Sequence, residues 1–331
     1  MKQHKKWIVI LAALCLAAGG LLGLHYWKVR SENKTWSLVY IPKTEDGTND
    51  FWTSLLAGTR MAAKEYGVSL EIMAPDREQD IEGQNRLIAR ATEMRPDALL
   101  ISPSSFTESE ALLKEAKEQG IHVVYIDSYT EHEIQDLTVA TDNLKAGREL
   151  GAYAATLVGD DSRIAVVCHV KGVSTAVERE QGFREGLGDK AENIAEVVYC
   201  DSLFEKAYEL TMELLEKYPD LELIAGLNEY SSVGAARAVR DSGMEGRVKV
   251  VGIDSSQEAV ELMEQGVFQG LVLQKAFKMG YLGLKETVRL LRGEKVEKNT
   301  DSGCELVTLD NMYTSEHEKL LFPFDSAYYQ E

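Results

Sequence analysis

Positive charge is scarce in this chain: 36 Lys and Arg stand against 54 Asp and Glu, a formal net charge of −18. A surface that acidic repels a phosphate backbone, which excludes nucleic acid as a partner and reads most simply as solubility. Cysteine is scarce too. Apart from Cys15 in an N-terminal apolar run there are only Cys168, Cys200 and Cys304, too few and too scattered for a disulfide framework or a metal site. Cys168 and Cys200 end two apolar runs that look like neighbouring strands, so a bridge is conceivable, with buried free thiols the preferred state.

Histidine is equally thin. His122 begins a strand-like run, His132 and His317 lie in polar stretches, and His169 reads as an ordinary loop residue. None has a second ligand at metal spacing, so no metal is expected. The chain also lacks GxxxxGK[ST] and has no GxGxxG opening a helix, so neither a nucleotide nor another cofactor is expected. The closest approach to a nucleophile elbow, Gly172 to Ala176 around Ser174, has no second glycine, and Ser174 reads as a helix-opening cap. No catalytic set emerges, and the chain does not read as an enzyme.

What is present begins with MKQHKK, followed by an apolar run from Trp7 to Trp27 without a charged residue. It is long enough to cross a bilayer as one helix, with Trp7, Tyr26 and Trp27 at its ends, where amphipathic aromatics favour the interface. That length favours an uncleaved anchor over residues 1–30. Ala17-Ala18-Gly19 keeps a cleavable signal open, and Cys15 a lipid attachment. In each case the chain is exported.

Hydrophobic residues make up 44% of the chain and charged residues 27%, a globular profile. From Thr35 onward, strand-like runs alternate with segments at helical spacing. The runs include WSLVYIP, SLEIMAP, ALLISP, HVVYID, TVATD, RIAVVCHV, EVVYC, ELIAGLN, VKVVGID and GLVLQ. Their continuous Val and Ile content suits strands buried on both faces of a parallel sheet. Gly67, Gly120, Gly159, Gly243, Gly266 and Gly293 stand where helices need a left-handed terminal residue. The alternation predicts an α/β, doubly wound fold. About ten strands exceed one ordinary sheet, and the pattern divides near residue 142 without a flexible linker. Two lobes hinged through element ends follow.

Ligands of open parallel sheets bind beyond the carboxyl ends of the strands. Those ends supply the loop KTEDGTNDFW, Asp127, the loop HVKGVSTAVER, Cys200-Asp201, Asn228, Asp254 and Gln274. Carboxylates, amides and a guanidinium satisfy hydroxyls that both donate and accept, and Phe51 and Trp52 offer flat faces to a sugar ring. A neutral polyol fits that set. Asp254 also reads as a cap for the helix after it, and Phe51 and Trp52 as core residues opening a helix.

TNDFWTSLLAGTRMAAKEYG resembles the first helix of ribose-binding-type periplasmic proteins, and VVYIDS and TDNLKAGRELG resemble the next segments of that family. GVSTAVEREQGFREGL, IAGLNEYSSVGAARAV, VKVVGIDSSQEAVELMEQG and LVLQKAFKMGYLGLK continue the likeness in order, over roughly residues 36–300. The resemblance implies a type I periplasmic binding protein fold. Lobe 1 would hold 36–141 plus 275–303, and lobe 2 would hold 142–274 plus 304–331, joined by a three-crossing hinge. It implies a ligand shell of Asn49, Phe51, Trp52, Asp127, Arg179, Asn228, Asp254 and Gln274. Ser128 replaces an arginine of the ribose binder, Ser202 an aromatic for which Phe204 could substitute, and Asp50 a proline. The sugar class is therefore better specified than the sugar.

Repressors of the lactose type share this fold, but they need a DNA-binding helix-turn-helix where this chain has its apolar run. Two roles remain for a membrane-anchored, extracytoplasmic protein that closes on a monosaccharide or small polyol. It delivers the ligand to the permease of an ABC transporter, or it reports closure to a membrane histidine kinase.

Overall fold

The computed structural model describes residues 35–321. The expected helix Trp7–Trp27 lies outside them, and no helix among the described residues is long and apolar enough to cross a membrane.

The first lobe is built on a six-stranded, wholly parallel sheet. In chain order its elements are β1 (Ser37–Ile41), α1 (Asp50–Tyr66), β2 (Ser69–Ile72), α2 (Ile81–Met94), β3 (Ala98–Ile101), α3 (Glu110–Glu118), β4 (His122–Ile126) and β5 (Leu137–Ala140). The chain then enters the second lobe. There it forms α4 (Asn143–Leu157), β6 (Arg163–Cys168), α5 (Ser174–Leu187), β7 (Ile194–Tyr199), α6 (Phe204–Lys217), β8 (Leu221–Gly226), α7 (Glu229–Asp241), β9 (Lys249–Ile253), α8 (Gln257–Glu264) and β10 (Phe268–Gln274). It returns through α9 (Ala276–Leu291) to β11 (Asn299–Asp301) in the first sheet, then crosses back to β12 (Cys304–Thr308) and α10 (His317–Leu321).

The sheet orders are β11-β5-β4-β3-β1-β2 and β12-β10-β9-β8-β6-β7, with β12 antiparallel to β10. The chain thus passes between the sheets three times, at Thr141–Asp142, at Lys275 and at Ser302–Gly303. Those passages are tied to one another: the Ser302 amide donates to the Ala140 carbonyl at 2.8 Å, and the Thr141 and Ser302 hydroxyls lie 3.1 Å apart.

The continuous apolar runs become strands, and inner ones are buried on both faces as the sequence pattern predicts: Ala98–Ile101 are fully buried, as are four of the five residues of β9, while the edge strands β2 and β7 are only partly covered. Helices seal each sheet by close approach. A Cβ on Gly280 of α9 would stand 2.0 Å from the Leu55 carbonyl oxygen of α1, and one on Gly147 of α4 would stand 2.3 Å from the Arg179 carbonyl oxygen of α5. Only glycine admits that spacing.

Four sequence expectations need correction. Gly159 is not left-handed: α4 ends at Val158 in extended backbone, and the Gly159 amide donates to Ser162 Oγ at 2.9 Å, turning the chain into β6. Ser174 does not cap α5, which Val173 precedes; its hydroxyl accepts the Tyr129 amide from the other lobe. Asp254 does not cap α8, because Ser256 does, accepting the Ala259 amide. Phe204 does not take the place of the missing aromatic at the ligand shell; it packs on Tyr230 with ring centroids 4.7 Å apart. Cys168 and Cys200 are free, buried thiols on adjacent strands, with no bridge.

Candidate functional site

The carboxyl ends of both sheets face one cavity. Its lining comprises Lys43, Asn49, Phe51, Trp52, Glu78 and Asp127 from the first lobe, and His169, Thr175, Arg179, Asn228, Asp254 and Gln274 from the second. All eight residues singled out from the sequence are among these. Each sheet reverses its winding beside the cavity, between β1 and β3 and between β6 and β8, which is where open sheets bind ligands.

Asp127 and Asp254 are counterparts. Each follows a central strand, each takes a left-handed backbone (φ 72° and 73°), and each donates its amide to the next strand, at Val139 and Val272. Aspartate tolerates that conformation better than most residues. Asn49 and Asn228 each open a helix. Asn49 Oδ1 accepts the Trp52 amide at 3.0 Å, and Asn228 closes a capping box with Ser231. Their oxygens are thereby engaged, leaving the Nδ2 groups as the donors they can offer.

The second-lobe wall is a connected network. Arg179 donates from Nε to Asn143 Oδ1 at 2.8 Å and from Nη1 to the Leu227 carbonyl at 2.9 Å, and it lies 3.9 Å from Asp254. Asp254 accepts from Gln274 Nε2 at 2.7 Å and from the Glu229 amide at 3.1 Å. Burial raises the Asp254 carboxyl above its usual range, against the opposing pull of Arg179 and Gln274. His169 is pushed well below the usual histidine range, foremost by burial and then by the Arg179 and Lys43 charges, so it is neutral. Its Nε2 pairs with Thr175 Oγ1 at 2.8 Å.

The first-lobe wall carries charge that the sequence reading did not place there. Lys43 Nζ pairs with Asp127 at 2.7 Å, both side chains almost wholly buried, and lies over the Trp52 ring, 5.9 Å from its centroid. Glu78 accepts from Trp52 Nε1 at 2.5 Å and from Ser202 Oγ, across the cleft, at 2.6 Å. Burial raises its carboxyl, while Lys43, Ser202 and Trp52 act to lower it.

The lobes also touch around the rim. Glu229, the first residue of α7, accepts the Asp50 and Phe51 amides at the start of α1, both at 3.0 Å. Tyr230 donates to Asp46 at 2.8 Å, and Asp50 accepts the Gln257 amide at 3.1 Å. With the lobes so joined, free cavity volume is about 20 Å³, room for roughly one water molecule.

Two α/β lobes with a shared polar cavity match a known architecture, and a family model described as periplasmic binding protein domain matches residues 39–295. The chain belongs to this family. The family implies an extracytoplasmic location, and the relatives are binding proteins rather than enzymes. This periplasmic binding protein is 27% identical to the ribose import binding protein of Bacillus subtilis over 260 residues, 78% of this chain and 84% of the relative. A solved sugar transporter structure from Clostridium phytofermentans is 44% identical, covering 83% of this chain and 99% of that one with a TM-score of 0.79. A carbohydrate transporter solute binding protein from Agrobacterium radiobacter, in complex with D-arabinose, is 27% identical and covers 87% of this chain and 99% of that one, with a TM-score of 0.82.

Lys43, Glu78, His169 and Thr175 are the lining residues that sequence reasoning did not assign. Lys43 lies two residues past β1 and His169 directly follows β6, so the strand-end rule reached both loops, but His169 read as an ordinary loop residue and Lys43 was given no role. Glu78 lies in the connection from β2 to α2, where no strand end marks it.

Proposed function

We propose that this chain is a membrane-anchored, extracytoplasmic sugar-binding protein that closes on a monosaccharide-like ligand and presents it to the permease of an ABC transporter. The observation that carries this reading is the convergence of carboxylates, amides, a guanidinium and two aromatics, from both lobes, on one cavity. Hydroxyl groups need that mixture of donors and acceptors. Asn49, Phe51, Trp52, Asp127, Arg179, Asn228, Asp254 and Gln274 form the ligand shell of this proposal. The moving bodies are 36–141 plus 275–303 and 142–274 plus 304–331, hinged at the three crossings, with Trp7–Trp27 as the anchor. A cavity with room for one water admits a sugar ring only when the lobes part, so binding and hinge motion are one process. Relatives named for ribose import and for sugar transport favour a permease over a membrane histidine kinase as partner.

The test titrates the full chain, in a detergent without a sugar headgroup, with neutral and amino-substituted pentoses and hexoses. The expected result is saturable heat with at least one sugar, together with slowed hydrogen exchange at the Asp50 and Phe51 amides, which cross-lobe bonds protect. Asp254→Ala should then weaken that sugar by about ten- to a hundredfold, since hydrogen bonds to a charged group contribute about 1.5–3 kcal/mol. A panel that gives no saturable binding removes the sugar-binding reading.

A further inference from the structure

The cavity's charges do not balance. Lys43 and Arg179 face the carboxylates of Glu78, Asp127 and Asp254, with His169 neutral. Both cations are committed, Lys43 to Asp127 at 2.7 Å and Arg179 to Asn143, Leu227 and Asp254. Glu78 is left with two neutral donors, the Trp52 indole and the Ser202 hydroxyl. Among the described residues no lysine, arginine or histidine forms an ion pair with it. Lys43 attracts it but is paired with Asp127, and a buried carboxylate with no cation of its own either takes a proton or is matched by an incoming positive charge.

A second observation concerns hydrogen bonding and not charge. Two residues that line this cavity each carry a buried polar atom without a partner: His169, 2% exposed, at Nδ1, and Gln274 at Oε1. Gln274 already donates its Nε2 to Asp254, so its orphan is an acceptor. In the tautomer that donates from Nε2 to Thr175, the His169 orphan is an acceptor as well. A surplus carboxylate and unmatched acceptors ask for a ligand rich in donors. An ammonium group brings three donors, no acceptor and the missing charge.

We infer that the monosaccharide carries a protonated amino group, and that Glu78 receives it; this rests on the sugar-binding reading above. A ligand with a carboxylate or phosphate is the opposite case, and it would meet cations already paired and acceptors it cannot satisfy. The net charge of −18 acts in the same sense, since an acidic surface concentrates a cationic ligand near the cleft and disperses an anionic one.

The experiment titrates the full chain at neutral pH with matched sets: glucose, glucosamine and N-acetylglucosamine; the same three forms of galactose; 6-amino-6-deoxyglucose; and glucuronate. In at least one set the amine should bind tenfold or more tighter than its neutral parent, and acetylation, which removes the charge, should abolish that advantage. Glu78→Gln should bring amine and parent to within about threefold of each other, and the N-acetyl arm tests the charge without any variant if Glu78→Gln does not fold. Parents that bind as tightly as their amines in every set, glucuronate binding tightest, or an amine preference that survives Glu78→Gln would each overturn the inference while leaving sugar binding intact. Absence of binding by every sugar would remove the proposed function, and this inference with it.

Discussion

Asp127 and Asp254 end corresponding strands in the same left-handed conformation, one in each lobe, yet they live in different company. Asp254 shares its charge among a guanidinium, an amide side chain and a backbone N–H, and its cation is itself braced by Asn143 and the Leu227 carbonyl. Asp127 relies on one lysine, whose neighbour is a further carboxylate, Glu78, held by an indole and a hydroxyl. A wall braced through several elements is preorganised, and its side chains keep their positions when the ligand leaves. The first-lobe wall depends on one flexible side chain and on a contact that reaches across the cleft. In the closure proposed above, the second lobe would be the fixed template and the first lobe the one that adapts.

The sharpest way to break this comparison is Arg179→Ala. It removes the brace and leaves Asp254 buried without its cation, which should cost about 3–5 kcal/mol of stability in urea unfolding. A loss below 1 kcal/mol would mean that the second-lobe wall is not held by this network. Lys43→Met should come next, at about 3 kcal/mol, since Asp127 is stranded in the same way. The double variant Lys43→Met/Asp127→Asn should recover most of that loss, because asparagine tolerates the left-handed backbone and carries no charge. Failure of the rescue would show that Lys43 serves the fold through more than its ion pair.

The smallest effect concerns pH. Burial holds the Glu78 carboxyl above its usual range, so its contribution to stability is complete below the unfolded carboxylate pKa and is lost as pH rises through the folded value. Glu78→Gln has no such proton to lose. Its melting temperature relative to wild type should therefore climb as pH is raised from below the ordinary carboxylate range. A flat difference would place Glu78 in a wetter setting than its contacts indicate.

Much of the fold was legible because buried parallel strands leave unbroken apolar runs, and ten such runs became β1 to β10. The shell was legible where a side chain sits at a strand end, as Asp127, Asn228, Asp254 and Gln274 do. Glu78 was not, because the loop that carries it leaves the edge strand β2, and how far such a loop reaches depends on tertiary packing and not on strand register. The Ser174 hydroxyl was misread for a related reason: its partner, the Tyr129 amide, is 45 residues away in the other lobe, and local cap rules see only the following helix. Gly159 shows the limit of terminal-glycine arguments, since a serine three residues on supplied the turn instead.

The contact by which Glu229 closes the end of a helix in the opposite lobe has a consequence for discrimination. It touches no ligand, and neither does the bond between Tyr230 and Asp46, so both act on every sugar alike. In the proposed mechanism they favour the closed arrangement over the open one by the same amount whichever sugar the lobes close on, and such a two-state bias scales every apparent affinity by one factor. All affinities then rise together while the ratio between any two sugars stays where the cavity sets it. On the proposed function, retention and choice lie in separate places: a substitution at Asp46 should shift all sugar affinities together, and one at Glu78 should shift their ratio.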